Sequence, residues 1–325
     1  ETAAGRENME SVFRFYYDPQ PPAVPSFTLT ENTSGDAVGN DDFSNGILVL
    51  EIDAAAYRNA DTGHTSGESL LAIEYTTDDG TSWHPFDSGT AFLSAESTYP
   101  GINVRATDEA GNVTEGTAIV NVTIMTSTPD APVATMATAP VNASNYQTFS
   151  FSLLEGEPGY DFEYVIRDDG DNDVLSGAGT FDGTGGATVS ALDLTSVPDG
   201  TIRVRARQID PAGNTSGWGQ AATEKDALVP DAPSVTILSP DPVTSSAGAN
   251  ESFEFGISGG EALADYEYTV ASDGGGTPVG GSGTLDASGE AQLPGVNLLT
   301  LRDGALTVTV TQTDAVGNTS AAGTD

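Results

Sequence analysis

Three runs of alternating apolar and polar residues each end on the same short turn. Ile102/Val104, Ile202/Val204/Ala206 and Leu306/Val308/Val310 stand at even distances before Asp108, Asp210 and Asp314. A period of two puts each apolar set on one face of a strand. The turns read Asp108-Glu-Ala-Gly-Asn112, Asp210-Pro-Ala-Gly-Asn214 and Asp314-Ala-Val-Gly-Asn318. Gly and Asn tolerate positive φ, so the chain reverses there. Spacings of 210 − 108 = 102 and 314 − 210 = 104 residues make this a module-length repeat.

Other strand patterns repeat at the same distance. Phe149-Ser-Phe-Ser-Leu153 answers Phe253-Glu-Phe-Gly-Ile257, and Phe162-Glu-Tyr164 answers Tyr266-Glu-Tyr268. The first copy carries Ile73-Glu-Tyr75 and an insertion around Ala54–Glu68 with room for a helical turn. Two stiff linkers, Thr128-Pro-Asp130-Ala-Pro132 and Val229-Pro-Asp231-Ala-Pro233, separate the copies, and Pro21-Pro-Ala-Val-Pro25 precedes the first. Residues 19–126, 127–228 and 229–325 are therefore read as three modules, with 1–18 as a leading strand and linker. Modules of about one hundred residues, with seven or so short strands and frequent turns, predict an all-β chain of three tandem immunoglobulin-like sandwiches in an elongated rod.

Composition narrows the function classes. Forty-eight acidic residues against ten basic ones give a net charge of −38, with Lys225 the only lysine. That surface repels nucleic acid and anionic membranes and attracts cations. The absence of cysteine rules out disulfides and thiolate metal sites. No apolar run reaches the ~18 residues of a membrane span. A start at Glu1 is read as that of a processed product or an excised segment, extracellular or displayed on a cell surface. A saline habitat would favour the same excess of acid.

Tyr75-Thr-Thr-Asp-Asp-Gly-Thr-Ser-Trp83, Ser34-Gly-Asp36-Ala-Val-Gly-Asn40-Asp41-Asp42 and the Asp-x-Ala/Val-Gly-Asn turns resemble tandem bacterial Ig-like (BIg) repeats over nearly the whole chain. The resemblance implies stalks of giant surface adhesins or other extracellular assemblies, often with calcium between modules.

The ends of the chain do not match. Thr117–Ile124 is a convincing last strand of the first module and Trp218–Leu228 a weaker one of the second, whereas Thr319–Asp325 is too short and too polar to close the third sheet. Conversely, Ser11-Val-Phe-Arg-Phe-Tyr-Tyr17 alternates like a final strand with no module before it. One explanation is excision from a longer array. The other is that Val12, Phe13, Phe15 and Tyr17 of one molecule complete the third module of the next, giving a head-to-tail homopolymer in which Leu306, Val308 and Val310 are the acceptor. Self-insertion is disfavoured, because end-to-end sandwiches of ~40 Å each part the two termini.

The loop after a penultimate strand is expected to face the preceding module. Asp210 and Asn214 would then approach Asp130, Asp36, Asp41 and Asp42; Asp314 and Asn318 would approach Asp231 and Asp199; Asp108 would meet Asp18. Calcium, which takes six to eight oxygens, would convert the repulsion among these groups into binding. Asp and Asn also shape turns with no metal at all. Within Asp168-Asp169-Gly-Asp171-Asn-Asp173, the Asp-x-Asp-x-Asp run from Asp169 begins like a calcium loop, but its twelfth position is Thr180, so a solvated hairpin fits better. Arg203, Arg205 and Arg207 share a strand face, where neighbouring carboxylates are the expected partners. Trp83 and Trp218 could stack a sugar, the basis of an alternative reading as a carbohydrate-binding accessory region of a secreted enzyme, or cover the end of a core. Seven Asn-x-Ser/Thr sequons, three of them in the repeated turn, would matter in a host that glycosylates asparagine. Catalysis has little footing: His64 and His84 are the only histidines, and Gly274–Gly276 lacks the lysine of a phosphate loop.

Overall fold

The computed structural model describes residues 21–52, 72–86, 90–108, 110–241, 243 and 252–325. Every regular element among them is a strand, apart from one 3-10 turn at Tyr146–Thr148. Val12–Tyr17, Asp18 and the insertion around Ala54–Glu68 lie outside the described residues. The chain divides into two compact units, Glu1–Pro129 with Ile209–Thr215, and Asp130–Gln208 with Ser216–Asp325.

The first unit holds β1 (Phe27–Glu31), β2 (Phe43–Ser44), β3 (Leu48–Ile52), β4 (Ala72–Thr76), β5 (His84–Pro85), β6 (Thr90–Leu93), β7 (Ser97–Thr107), β8 (Val113–Glu115) and β9 (Ile119–Ile124). One sheet runs β1-β3-β6 and the other β2-β9-β7-β4-β5, with β8 on β7. The alternation read from the sequence aims Ile102 and Val104 of β7, with Val122 and Ile124 of β9, at Leu29, Leu48 and Leu50 of the facing sheet. These side chains form an apolar core between two sheets, the arrangement of a β-sandwich.

The second unit contains two more such cores. Around one lie β10 (Val133–Met136), β11 (Val141–Asn142), β12 (Phe149–Leu154), β13 (Asp161–Arg167), β14 (Asp173–Thr180), β15 (Ala187–Leu192), β16 (Gly200–Ile209) and β17 (Gly219–Asp226). Their sheets run β10-β12-β15 and β11-β17-β16-β13-β14. Around the other lie β18 (Ser234–Ile237), β19 (Phe253–Ser258), β20 (Asp265–Ser272), β21 (Val279–Thr284), β22 (Ala291–Val296), β23 (Leu306–Thr313) and β24 (Gly323–Thr324), in sheets β18-β19-β22 and β21-β20-β23-β24. Phe149, Phe151, Phe253 and Phe255 are fully buried at matching places, each contributing about 2–3 kcal/mol of burial. With no disulfide available, apolar packing holds the two sheets of each sandwich together.

The third core departs from the sequence expectation. The tail does begin a last strand: Gly323 and Thr324 pair with Val310 and Thr309, and Val308 and Asp325 exchange backbone hydrogen bonds. Nor does the short tail lay Val308 and Val310 open, because both point between the sheets and are fully buried. A missing neighbour in the plane of a sheet bares backbone groups along an edge rather than core side chains. Of the three named residues only half-buried Leu306, beyond the end of the pairing, lines an open groove.

Candidate functional site

The three Asp-to-Asn turns share one geometry. In each, the Asp N–H donates to the Asn carbonyl and the Gly N–H donates back to the Asp carbonyl, at 2.9–3.2 Å. Gly111, Gly213 and Gly317 take φ of 88°, 87° and 88°, the left-handed conformation that demands glycine. One Asp oxygen accepts the Asn backbone N–H and the other accepts Asn Nδ2, at 2.7–2.8 Å in all three copies. Burial pushes the Asp108 carboxyl up, but the Asn112 side-chain and backbone donors, with the Ala110 and Gly111 amides, outweigh it and hold it below the usual carboxylate range. Asp168 and Asn172 repeat the motif in a hairpin, where Arg167 also binds Asp171 and Asp173. That cluster forms the turn of the β13–β14 hairpin.

What distinguishes the second and third turns is a further bond from each asparagine. Within the first unit, Asn214 Nδ2 donates to the Met125 carbonyl, just past β9, at 2.8 Å. Within the second, Asn318 Nδ2 donates to the Asp226 carbonyl, at the end of β17, at 2.9 Å. Met125 and Asp226 are equivalent: each lies seven residues before a linker proline, 132 − 125 = 7 and 233 − 226 = 7. The third turn receives two more bonds, from Ala143 N–H to Asn318 Oδ1 and from Asn142 Nδ2 to the Val316 carbonyl. The amide is the right group here, because it offers donor and acceptor at once while leaving the adjacent Asp carboxylate saturated.

Sequence reasoning missed a pair of glutamines. Gln208 and Gln312 stand two residues before Asp210 and Asp314 and are both 1% exposed. Gln208 Nε2 donates to the Asp130 carbonyl and its Oε1 accepts the Glu157 N–H; Gln312 does the same with Asp231 and Glu261. Their own N–H groups donate to buried Ser216 and Ser320. Each clamp ties a Pro-Asp-Ala-Pro linker to the interior of its sandwich. The signal was legible: a polar residue continues an otherwise apolar inward face, Ile202/Val204/Ala206/Gln208 and Leu306/Val308/Val310/Gln312, whereas the first copy has Ala106 there. In that copy Thr114 Oγ1 donates to the linker carbonyl of Pro22 instead.

Several of the other residues expected at metal sites have partners within their own unit. Asp42 accepts the Gly39 N–H, Asp41 accepts Asn121 Nδ2, and Asp36 is exposed. Asp130 and Asp231 engage the clamps through their carbonyls, with exposed side chains. Asp199 is taken by the buried ammonium of Lys225 and the Ala227 N–H. Burial raises the Asp199 carboxyl, and these two donors together lower it below its usual range. Among the described residues no three acidic or histidine side chains converge on a point suited to a metal. The nearest approach is electrostatic and includes an unexpected residue: burial, with Asp314, Asp226 and Asp231, pushes the Glu261 carboxyl above its ordinary 4.5.

Both tryptophans have arginine partners. Arg105 lies over Trp83 at 4.3 Å, and Arg205 and Arg207 lie over Trp218 at 5.1 and 4.8 Å. Arg105 also pairs with Glu74 and Arg207 with Glu163. The asparagine of the sequon at Asn318 is 2% exposed and fully engaged. No helix among the described residues is long and apolar enough to cross a membrane.

No protein-family model matches the chain, and a search of curated proteins finds no relative. Solved structures similar to it include tandem repeats of large adhesins. One is a tetra-tandem repeat in the extending region of a large adhesion protein, 19% identical, covering 93% of this chain and 72% of that one, with a TM-score of 0.33. Another belongs to a 1.5-MDa bacterial ice-binding adhesin, 17% identical, covering 95% and 98%, with a TM-score of 0.40. A third is a Ca2+-stabilised adhesin that helps an Antarctic bacterium reach out and bind ice, 18% identical, covering 94% and 74%, with a TM-score of 0.40.

Proposed function

We propose that this chain is a non-catalytic, extracellular or surface-displayed spacer: a stalk of sandwich modules. The observation that carries the reading is the repeated asparagine bond, Asn214 to Met125 and Asn318 to Asp226. A turn that reaches past its own hairpin to the end of an earlier strand, twice and in the same register, supports a holding role for both turns. The Arg-covered faces of Trp83 and Trp218 count against the sugar-binding alternative, since the platforms a sugar would use are occupied. Small-angle scattering tests the stalk directly. A globular chain of this length has a radius of gyration of about 20 Å, whereas three sandwiches of ~40 Å in line give a value well above it. A measurement near the globular figure would end the stalk reading.

The reading extends to calcium near Glu261, whose carboxyl feels the negative charge of Asp314, Asp226 and Asp231. A carboxyl whose folded pKa is raised destabilises the fold as pH climbs through 4.5 toward the folded value. Glu261→Gln is therefore expected to match the parent below pH 4 (roughly the unperturbed carboxylate range) and to exceed it at pH 7. Millimolar calcium should raise the parent's melting temperature and leave the variant's unchanged. No calcium shift in the parent would discard the cation and keep the amide-pinned stalk. A further reading, in which copies join head to tail as a surface filament, rests on β24 pairing with β23 at only Val310 and Thr309 among the described residues.

A further inference from the structure

We infer that the outer sheet faces of the second and third sandwiches are complementary, so that Arg203 and Arg205 of one copy receive the Glu267 carboxylate of a second copy. The three sandwiches share one cross-strand position on that face. In the first, Glu74 stands opposite Arg105, and the two form an ion pair at 2.7 Å. In the second, Glu163 pairs with Arg207. In the third, Glu267 stands opposite Thr311, which has no charge to offer. A constant offset of 104 (307 − 203, 309 − 205, 311 − 207) sets Thr307, Thr309 and Thr311 at the places of Arg203, Arg205 and Arg207. One face therefore carries two arginines beyond its ion pair, and the other keeps the glutamate but lacks the arginine.

The surplus is not absorbed within the sheet. Arg105, Arg167 and Arg207 each donate from Nε to a carboxylate. Arg205 Nε is buried without a partner, while the guanidinium is held over Trp218 at 5.1 Å. Among the described residues no carboxylate pairs with Arg203 or Arg205, and no cation pairs with exposed Glu267. The neighbouring strand β17 sets Ala222 opposite Arg203 and Gln220 opposite Arg205, both exposed, so that side lies open to solvent. A guanidinium has five N–H groups, so a carboxylate can bridge the outer nitrogens of two arginines without reaching the buried Nε.

Charge and shape together select the occupant. Two chains of net charge −38 repel at a distance. At about 0.15 M salt the Debye length is only ~8 Å, so the charges that meet in the contact govern it. Most acidic residues would meet the arginines on an unrelated surface. Glu267 instead lies on strands equivalent to those that carry the arginines, β20 and β23 answering β13 and β16, so the two faces have the same twist and can stack. Long arginines on one face oppose short threonines on the other, which leaves room for the guanidinium groups. The threonine hydroxyls add acceptors beside the carboxylate.

Charge reversal in the full chain, followed by sedimentation at about 0.15 M salt, tests the pairing. The inference expects the parent to associate with rising concentration. Arg203→Glu with Arg205→Glu in one chain, or Glu267→Arg in another, should each weaken association about tenfold or more. Mixing the two reversed chains should restore a complex, because the acidic face of one then meets the basic position 267 of the other. Restoration also shows that both variants fold. Where reversal unfolds the second sandwich, Arg203→Gln with Arg205→Gln carries the same expectation of weakening. A parent that stays monomeric up to about 1 mM would overturn the inference. So would association that survives either reversal, or reversed chains that fold, as urea unfolding shows, and fail to associate when mixed. A monomeric parent that binds polygalacturonate through Arg203 and Arg205 would replace the second copy with an acidic glycan.

Discussion

Changing Asn318 to aspartate is expected to destabilise the second unit by about 4 kcal/mol at pH 7, and changing it to alanine by about 2 kcal/mol. The alanine variant leaves the Asp226 carbonyl and the Ala143 N–H without the partners they have at 2.9 and 2.6 Å. The aspartate variant is nearly isosteric and keeps an acceptor for Ala143. Its cost is a charge at a site 2% exposed, with oxygens set against the Asp226 carbonyl and the Asp314 carboxylate. The new carboxyl would have a raised folded pKa, so the loss appears as pH rises through the unfolded value of about 3.9 and is recovered in acid. Urea unfolding at pH 7 and pH 4 reads both variants. The order also separates two roles for this residue. A metal ligand would gain from a carboxylate in the presence of calcium, whereas a hydrogen-bonding pin loses. If N318D in calcium is as stable as the parent, the amide-pin account is wrong.

Gln208→Leu carries the second large effect, a loss of about 3 kcal/mol. The replacement fits an apolar face in size, so the loss isolates hydrogen bonding from packing. It strands the Asp130 carbonyl and the Glu157 N–H, held at 2.6 and 2.9 Å, in a place where water cannot easily replace the side chain. Each stranded group costs about 1–3 kcal/mol. Trp218, on the outer face of the same sheet, is a local fluorescence reporter once Trp83 is replaced by phenylalanine. The midpoint in urea should fall, and the Glu157 amide should exchange with deuterium faster than in the parent. Gln312→Leu should repeat the effect in the third core, accelerating exchange at the Glu261 amide. A neutral outcome at both positions would show that leucine packing repays the lost bonds and that the linkers are held by proline stiffness alone.

Much of this molecule could be read from its residues in order. Alternation at Ile202/Val204/Ala206 and its relatives, together with three Gly-Asn turns about a hundred residues apart, determined strands, turns and the all-β class. These signals are local, since a two-residue period and a positive φ need no knowledge of the rest of the fold. The two Pro-Asp-Ala-Pro linkers, with Pro132 and Pro233 at 233 − 132 = 101 residues, are likewise a property of spacing. Tertiary structure alone decided what the polar residues do. Asp-rich segments promised cation sites, yet Asp108, Asp210 and Asp314 are spent on their own asparagines, and Asp199 on Lys225. A carboxylate goes to whichever donor folding brings within 3 Å or so, and a sequence records residue types but not those distances. The same reason hid the reach of Asn214 and Asn318 to carbonyls 89 and 92 residues away. Composition announced an acidic chain, and only packing revealed how much long-range bonding falls to the amides of Gln208, Asn214, Gln312 and Asn318.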